Sequence, residues 1–577
     1  MLRRLRTPLR RCLATDATNF NFLKPLNTNK DTGKDVLTDP LWNKGTAFRP
    51  SERDRLGMRG LLPSKVSTIE EQVANFLRNL REEPDSYRKN LLLTELQNRN
   101  ETLFHRVIIE EIEEISPLVY TPTVGQVCLR YSHYFTKTRG MYFTPDDRGH
   151  MAAMMHNWPR NSCQVVVCTD GSRILGLGDL GANGMGIPIG KLALYCAAGG
   201  IAPHRVLPAM LDFGTDNQEL LNDPRYTGYR APRLRGDAYL SLLDEFMQAV
   251  FARYPNTLLQ FEDFSSDKAS ALLAKYRDRY LCFNDDIQGT GATVLAGVLG
   301  ALRMQQKPPE AIKDLRVVVV GAGSAGMGVA QALQGAMVEA GASHKQSLAN
   351  FHIFDHGGLL GKSRFATLTE EQMEFARADI PDGLTLEEAI GDIKPHIILG
   401  VSGRQGTISE AAVREMAKHV DRPMVFPLSN PTHVAELTPE QAYTWTDGKA
   451  IVATGSPFDP VDVGGGDVRT PSQCNNMYIF PGLGLGASVC GAETIPDSML
   501  YHAAVALSKM TSEEEMRSGR VFPSVTSIRE CSEQVAIAVY RHAKEKNIAR
   551  VMPGRGETIE TFVKRKMYYP EYAPLIK

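Results

Sequence analysis

Two acidic pairs in this chain carry the chemistry of a metal site: Glu262 and Asp263 in QFEDF, and Asp285 and Asp286 in FNDDIQGT. Each pair follows an apolar stretch that reads as a strand, NTLLQF and then RYLCF, so both emerge at strand ends. Carboxylate oxygens gathered at one point repel one another unless a cation lies among them, and Mg2+ or Mn2+ takes oxygen ligands of this kind. Two unrelated solvated acidic turns are the competing interpretation.

Two segments have the GxGxxG spacing, GAGSAG at 321–326 and GLGDLG at 176–181. GAGSAG follows LRVVVV and precedes the helical run MGVAQALQGAMVEAG, the context of a pyrophosphate loop: tight turn, close backbone approach, and a helix N-terminus facing the anion. The cofactor-binding set is then Gly321, Gly323, Ser324, Ala325 and Gly326, with Asp355 at the end of the strand FHIFD poised for the ribose hydroxyls. GLGDLG also meets a strand-end acid, Asp212, but follows the short segment TDGSRIL, which resembles a hairpin. Context therefore favours GAGSAG.

Five further residues have catalytic or binding chemistry, each with a plainer alternative. Lys191 opens a helical segment after GMGIPIG among apolar neighbours; withdrawal from water lowers a lysine's pKa toward general-base duty, whereas most lysines snorkel to solvent. Tyr120 in PLVYTPTVG is a proton donor or a core tyrosine. Arg173 holds a carboxylate or lies on the surface. Asn430 in LSNPT and Asn475 in QCNNMYIFPG point amides into a cleft or cap turns.

The elements that must position these residues fall into three textures. The first is helical: Val66, Ile69, Val73, Phe76 and Leu80 share one face, with Thr68 and Glu71 spaced as a capping box. A second helix, LFHRVIIEEIEEI, is expected to end at Ser116, before Pro117. From about residue 160, apolar strands alternate with helices through QVVVCTD, RILGLGD, RVLPAMLDF, LLQFEDF, YLCFNDD, RVVVVGAG, FHIFD, HIILGVSG, MVFPLSN and AIVATG. Strands apolar on both faces imply parallel sheets covered by helices, an α/β protein. The last hundred residues return to helix.

At 577 residues the chain is too long for one core, and 43% hydrophobic with 23% charged residues is ordinary for a globular enzyme. A net charge of −1 gives no sign of nucleic-acid binding, and no apolar run is long enough to span a membrane. The opening MLRRLRTPLRRCLAT carries five arginines and no acid, so residues 1–20 read as a mitochondrial presequence and the mature location as the matrix. Nine cysteines without a CxxC pair read as thiols in a reducing compartment.

The segments PLVYTPTVG, RILGLGDLGANGMGIPIGKLALY, QFEDF, FNDDIQGT, GAGSAG, PLSNPT, GSPF and NNMYIFPG together resemble the malic enzyme family, in the family's order over nearly the whole chain. The resemblance implies oxidative decarboxylation of (S)-malate to pyruvate and carbon dioxide with reduction of a nicotinamide. It implies Glu262, Asp263 and Asp286 as ligands of Mg2+ or Mn2+, Lys191 as general base, Tyr120 as general acid, and Asp285 as the carboxylate supporting Lys191. Arg173, Asn430 and Asn475 become substrate-binding residues.

The implied architecture is a helical N-terminal lobe (21–138), a doubly wound parallel-sheet substrate and metal domain (139–284 and 476–547), an inserted Rossmann-type NAD-binding domain (285–475) and a tail (548–577). A homotetramer, a dimer of dimers, is the implied assembly. Asp355 favours NAD, and Gln372 stands where family members strict for NADP commonly carry lysine; Lys362 and Arg364 leave NADP use open. Of the two arginines that form the fumarate site of activated relatives, Arg99 matches one, while Asn75 replaces the other. Rival assignments are an NADP-preferring malic enzyme, a metal-independent amino-acid dehydrogenase and a silent nucleotide-binding subunit.

Overall fold

The computed structural model describes residues 32–575, so the arginine-rich leader at 1–20 lies outside the described residues. Two compact units divide the described residues: those up to 263, with 484–492 and those from 549 on, form the first, and 264–483 with 493–548 the second.

The first unit opens with helices. In α1 (Ile69–Glu82) the Thr68 hydroxyl accepts the Glu71 N–H while the Glu71 carboxylate accepts the Thr68 N–H, the expected capping box. Its buried face is Ile69, Val73, Leu77 and Leu80; Val66 precedes the helix and is exposed. Helix α2 (Ser86–Arg99) is followed by α3 (Glu101–Glu110) and α4 (Ile112–Val119). The single helix expected here is thus broken at Glu111, and Pro117 sits inside α4 instead of ending it. One lost backbone bond is offset by the burial of Ile115, Leu118 and Val119, so tertiary packing overrides the local preference before proline.

Next comes a parallel α/β layer. Strands β1 (Met141–Phe143), β2 (Val165–Thr169), β3 (Val206–Leu211) and β4 (Leu258–Phe261) lie in the order β1-β3-β2-β4. All pairs are parallel, with Val165 opposite both Val206 and Leu258. Every residue of β2 is buried, as expected of a strand covered on both faces. The covering helices include α5 (Gly186–Ala197) and α6 (Gly236–Arg253). RILGLGD is not a strand: the Ile174 N–H donates to the Gly178 carbonyl at 2.8 Å and closes a turn.

The second unit opens with a helix at Ser266–Tyr276, followed by a short strand, β5 (Cys282–Asn284), which runs through a π-helical turn, Asp285–Gly289, into α7 (Thr290–Met304). Then β6 (Val317–Val320) leads into α8 (Ser324–Glu339), followed by β7 (Phe351–Asp355), β8 (Gly358–Leu359) and α9 (Glu370–Phe375). β9 (Ile397–Gly400), β10 (Met424–Pro427) and β11 (Ile451–Thr454) follow, then a small hairpin, β12 (Val461–Asp462) with β13 (Val468–Arg469), and β14 (Ser472–Gln473). The seven-stranded sheet runs β14-β11-β10-β9-β6-β7-β8, parallel except for β8. Val318, Ile398, Val425 and Val452 build its core against helix residues such as Ile390 and Met416. The strand β6 is flanked by β7 on one side and β9 on the other, so strand order reverses there and opens a crevice at the carboxyl ends.

Candidate active site

In the first unit, Lys191 lies in the interior of α5, which begins at Gly186 and not at Lys191 as expected. Pro188 does not prevent this, because the N–H groups of a helix's first turn have no intrahelical acceptor. Gly190 lets α5 touch the end of α4: a Cβ there would fall 2.5 Å from the Val119 carbonyl oxygen. Tyr120 caps α4, and the two helices therefore place Lys191 and Tyr120 side by side.

The Lys191 side chain is 2% exposed, not snorkelling. Its Nζ lies 2.7 Å from Glu262 Oε1, donates to the Tyr120 hydroxyl at 2.8 Å and stands 4.9 Å from the Tyr120 ring centroid. The Tyr120 hydroxyl in turn donates to Glu262 Oε1 at 3.3 Å. Burial pushes the Tyr120 phenol well above its ordinary range, helped by Glu262 and Asp263 and opposed by Lys191. Tyr120 is therefore a neutral O–H donor at physiological pH.

Glu262 and Asp263 follow the carboxyl end of β4, at 2% and 7% exposure, with carboxylate oxygens within 4.8 Å of each other. Glu262 is oriented from behind: Gln260 Nε2 donates to its Oε2 at 2.6 Å, and the Tyr195 hydroxyl donates to Gln260 Oε1 at 2.5 Å. Neither Gln260 nor Tyr195 was singled out from the sequence. The signal was there for Gln260, which sits two residues before Glu262 and so shares its strand face. Asp263 adopts a left-handed backbone, φ 55°, which aspartate tolerates better than most residues. The 173–175 turn holds it: Arg173 N–H donates to its carbonyl at 3.3 Å and Leu175 N–H to its carboxylate at 3.4 Å. The Arg173 side chain is exposed.

The second glycine motif belongs to this turn. Asp179 of GLGDLG receives Arg233 through Nε at 3.0 Å and Nη2 at 2.6 Å, with the Gly181 and Asp216 N–H groups and the Thr215 hydroxyl also donating to it. The motif secures a loop, and its last glycine starts a 3-10 turn, Gly181–Met185, that runs on into α5. Asp212 lies just past β3, accepts the Tyr229 N–H at 2.6 Å and is pushed up to about 6 by burial.

In the second unit GAGSAG links β6 to α8 at the switch point. Gly321 has φ 120°, and a Cβ on it would lie 2.5 Å from the Val401 carbonyl oxygen; one on Gly326 would lie 1.9 Å from that of Gly321. Gly323 faces open space, as a backbone approaching a pyrophosphate must. Ser324 and Ala325 begin α8. Asp355 ends β7 and receives Arg364 in a fork, 2.9 Å from Nη1 and 2.5 Å from Nη2, plus the Gly357 N–H at 2.7 Å. These bonds hold its carboxyl below the usual range despite partial burial, which raises it. Gln372 Nε2 donates to the Ala322 carbonyl at 2.9 Å and so touches the glycine loop itself.

Asp285 is fully buried in the π-helical turn and Asp286 half-buried beside it. Asn476 Nδ2 donates to Asp285 Oδ2 at 3.1 Å and to the Asp285 carbonyl and Thr290 hydroxyl at 3.0 Å each. Asn476 was missed beside its neighbour Asn475, whose own Oδ1 accepts the Met477 N–H at 3.0 Å. Asn430 is exposed after β10 and accepts the Ser456 hydroxyl at 2.6 Å.

Comparison with known proteins places these features in a family. Residues 97–277 match the malic enzyme N-terminal domain and 287–544 the malic enzyme NAD-binding domain. The chain is 45% identical to the "NADP-dependent malic enzyme" of Dictyostelium discoideum over 93% of its length and 98% of that protein's. It is 44% identical to the "NAD-dependent malic enzyme, mitochondrial" of Solanum tuberosum over 94% and 91%. Among solved structures, the malic enzyme of Pyrococcus horikoshii aligns with TM-score 0.53 and 26% identity over 79% of this chain and 89% of that one. With its matched domains and near full-length relatives, this chain belongs to the malic enzyme family.

Proposed function

We propose that this protein oxidatively decarboxylates (S)-malate to pyruvate and carbon dioxide, reducing NAD in preference to NADP and requiring Mg2+ or Mn2+. The carrying observation is the buried trio Lys191, Tyr120 and Glu262, in which a base and an acid are hydrogen-bonded at 2.8 Å next to a carboxylate. The donor set suits a hard divalent cation: Glu262 and Asp263 are adjacent, buried and oxygen-only, and Asp286 is the third ligand in this proposal. The glycine loop, with its open Gly323 and the Asp355 carboxylate beyond it, suits NAD.

When bound, the cation supplies Lewis-acid stabilisation of negative charge developing on oxygen, and the nicotinamide accepts a hydride. Lys191, in its neutral form, takes the proton of the malate C2 hydroxyl as hydride leaves C2. The oxaloacetate formed loses its C4 carboxylate as carbon dioxide, leaving the enolate of pyruvate. Tyr120 gives its phenolic proton to C3, producing pyruvate, and Lys191 returns a proton to Tyr120 across their hydrogen bond. The proton account closes: the hydroxyl proton of malate ends on the methyl group of pyruvate.

Arg173, Asn430 and Asn475 bind substrate carboxylates and oxygens in this reading, and Asp285 supports the charged form of Lys191. The proposal extends to a homotetramer in the mitochondrial matrix, supported by the arginine-rich leader and the mitochondrial name of the Solanum tuberosum relative. Among the described residues no helix is long and apolar enough to cross a membrane. Initial rates with malate, Mn2+ and either NAD or NADP test the central claim. NADH and pyruvate should form in equal amounts; oxaloacetate as the sole product would refute it.

A further inference from the structure

One buried carboxylate ties together the loops that leave β9 and β10. Glu436 is fully buried, and so are its neighbours Ala435 and Leu437; Leu437 belongs to the core that holds Ile398 of β9 and Val425 of β10. Glu436 Oε1 accepts the Ser402 N–H at 2.8 Å, the Ser402 hydroxyl at 2.9 Å and the Ser429 hydroxyl, and its Oε2 accepts the Ser429 N–H at 3.4 Å. Ser402 follows the end of β9 and Ser429 the end of β10. The loops are also joined directly, because the Ser429 hydroxyl oxygen accepts the Gly403 N–H at 2.8 Å. Farther along the β9 loop, the Gly406 N–H donates to the Glu436 carbonyl at 2.9 Å.

A carboxylate removed from water is costly unless its oxygens are bonded. Here N–H and hydroxyl donors of two serines satisfy it where a cation would otherwise be needed. The end of β9 makes room for it: a Cβ on Gly400 would lie 2.6 Å from the Glu436 carboxyl carbon.

Strand order says what lies over these loops. The glycine loop leaves β6, and Asp355, on the β7 side of it, suits the adenosine ribose. A dinucleotide that crosses the reversal of strand order lays its other half on the opposite side, over the ends of β9 and β10. The Val401 carbonyl adjoins Gly321 of the glycine loop, and a Cβ on Gly403 would meet nothing within 4 Å. The loop that Glu436 holds therefore faces open space beside the pyrophosphate position.

We propose that Glu436 is a positioning residue for the nicotinamide half of the cofactor. It fixes the β9 and β10 loops as one wall, and the adenosine half does not depend on it. The inference rests on NAD binding at GAGSAG, which the wild-type protein tests separately.

Calorimetry on the full-length protein compares NAD with ADP, which carries the adenosine half and the two phosphates alone. Glu436→Ala should weaken NAD by about tenfold or more as the loops lose a charge-assisted tie, while ADP changes by less than about twofold. Glu436→Gln keeps one oxygen for the serine donors and should recover much of the lost affinity. Ser429→Ala removes the tie to Gly403 and one donor to Glu436, and should weaken NAD about threefold while sparing ADP; it carries the test if Glu436→Ala does not fold.

NAD affinity that stays unchanged in these variants would overturn the inference. Equal weakening of NAD and ADP would also overturn it, since Glu436 would then be a general scaffold of the unit. A wild-type protein that takes up no NAD would instead overturn the cofactor assignment, and this inference with it.

Discussion

The Lys191 ammonium stands 2.7 Å from the Glu262 carboxylate with both side chains 2% exposed, a charge pair almost wholly removed from water. Removing one member of such a pair leaves a buried charge uncompensated, at a cost of roughly 3–5 kcal/mol. Lys191→Met and Glu262→Gln are each expected to destabilise the metal-free protein on that scale. The double variant should lose clearly less than their sum, because neither charge is then stranded. Urea denaturation of the four proteins in chelator checks this, and strict additivity would contradict a coupled pair.

Tyr120→Phe keeps the ring beneath Lys191 and removes only the hydroxyl that bridges Lys191 and Glu262. Losing a positioned proton donor is expected to lower kcat by about 10²–10⁴-fold. Deuterium entry at C3 of pyruvate in D2O should fall in parallel, since that step uses the same proton. Unchanged exchange with reduced kcat would move Tyr120 to another step.

Asp263→Asn separates charge from fold. Asparagine tolerates the left-handed backbone at this position and keeps an oxygen for the Leu175 N–H, so the thermal midpoint should barely move. Mn2+ affinity, followed by electron paramagnetic resonance, should drop by at least about tenfold as one anionic ligand is lost. Chelation of the wild-type enzyme should abolish turnover and Mn2+ should restore it.

Gln372→Lys tests cofactor choice where the side chain already contacts the glycine loop through the Ala322 carbonyl. A lysine there carries its ammonium to the neighbourhood of Asp355 and Arg364, where a 2'-phosphate would sit. The ratio of kcat/KM for NADP to that for NAD should rise about tenfold or more. A ratio that stays constant would place the discrimination with Asp355 and its Arg364 fork.

Asp212 gives a stability signature. Its folded pKa, pushed up to about 6 by burial, exceeds the unfolded value of about 3.9. The folded state thus holds more protons between those limits, and its contribution to stability is fully present below about pH 4 and lost as pH rises through 6. Asp212→Asn should flatten that slope of stability against pH between 4 and 6, measured by thermal melts across the range.

Local pattern was enough for much of this protein. Near-continuous apolar runs such as RVVVV and QVVVC are legible as buried parallel strands because both faces are covered, and the Thr68–Glu71 box marks a helix start because its bonds span only three residues. The family strings likewise name Lys191, Tyr120 and the acids without any structure. Helix limits were less legible. Pro117 argues locally for a stop, yet the burial of its neighbours outweighs one missing bond, and α5 starts five residues before Lys191 because Pro188 falls in its first turn, where no backbone bond is lost.

What only the tertiary structure decided is partnership. Sequence proximity cannot say that Lys191 meets Glu262, seventy-one residues away, or that Gln260 and Tyr195 orient that carboxylate from behind. Those contacts depend on Gly190 letting one helix approach another and on β4 ending beside them. Likewise, two GxGxxG strings are equivalent as text. They differ because one lies at the reversal of strand order, facing open space, and the other is tied down by Arg233. Residue types set which chemistry was available; long-range packing set which groups lie within a proton's reach, because burial and separation are properties of the folded chain.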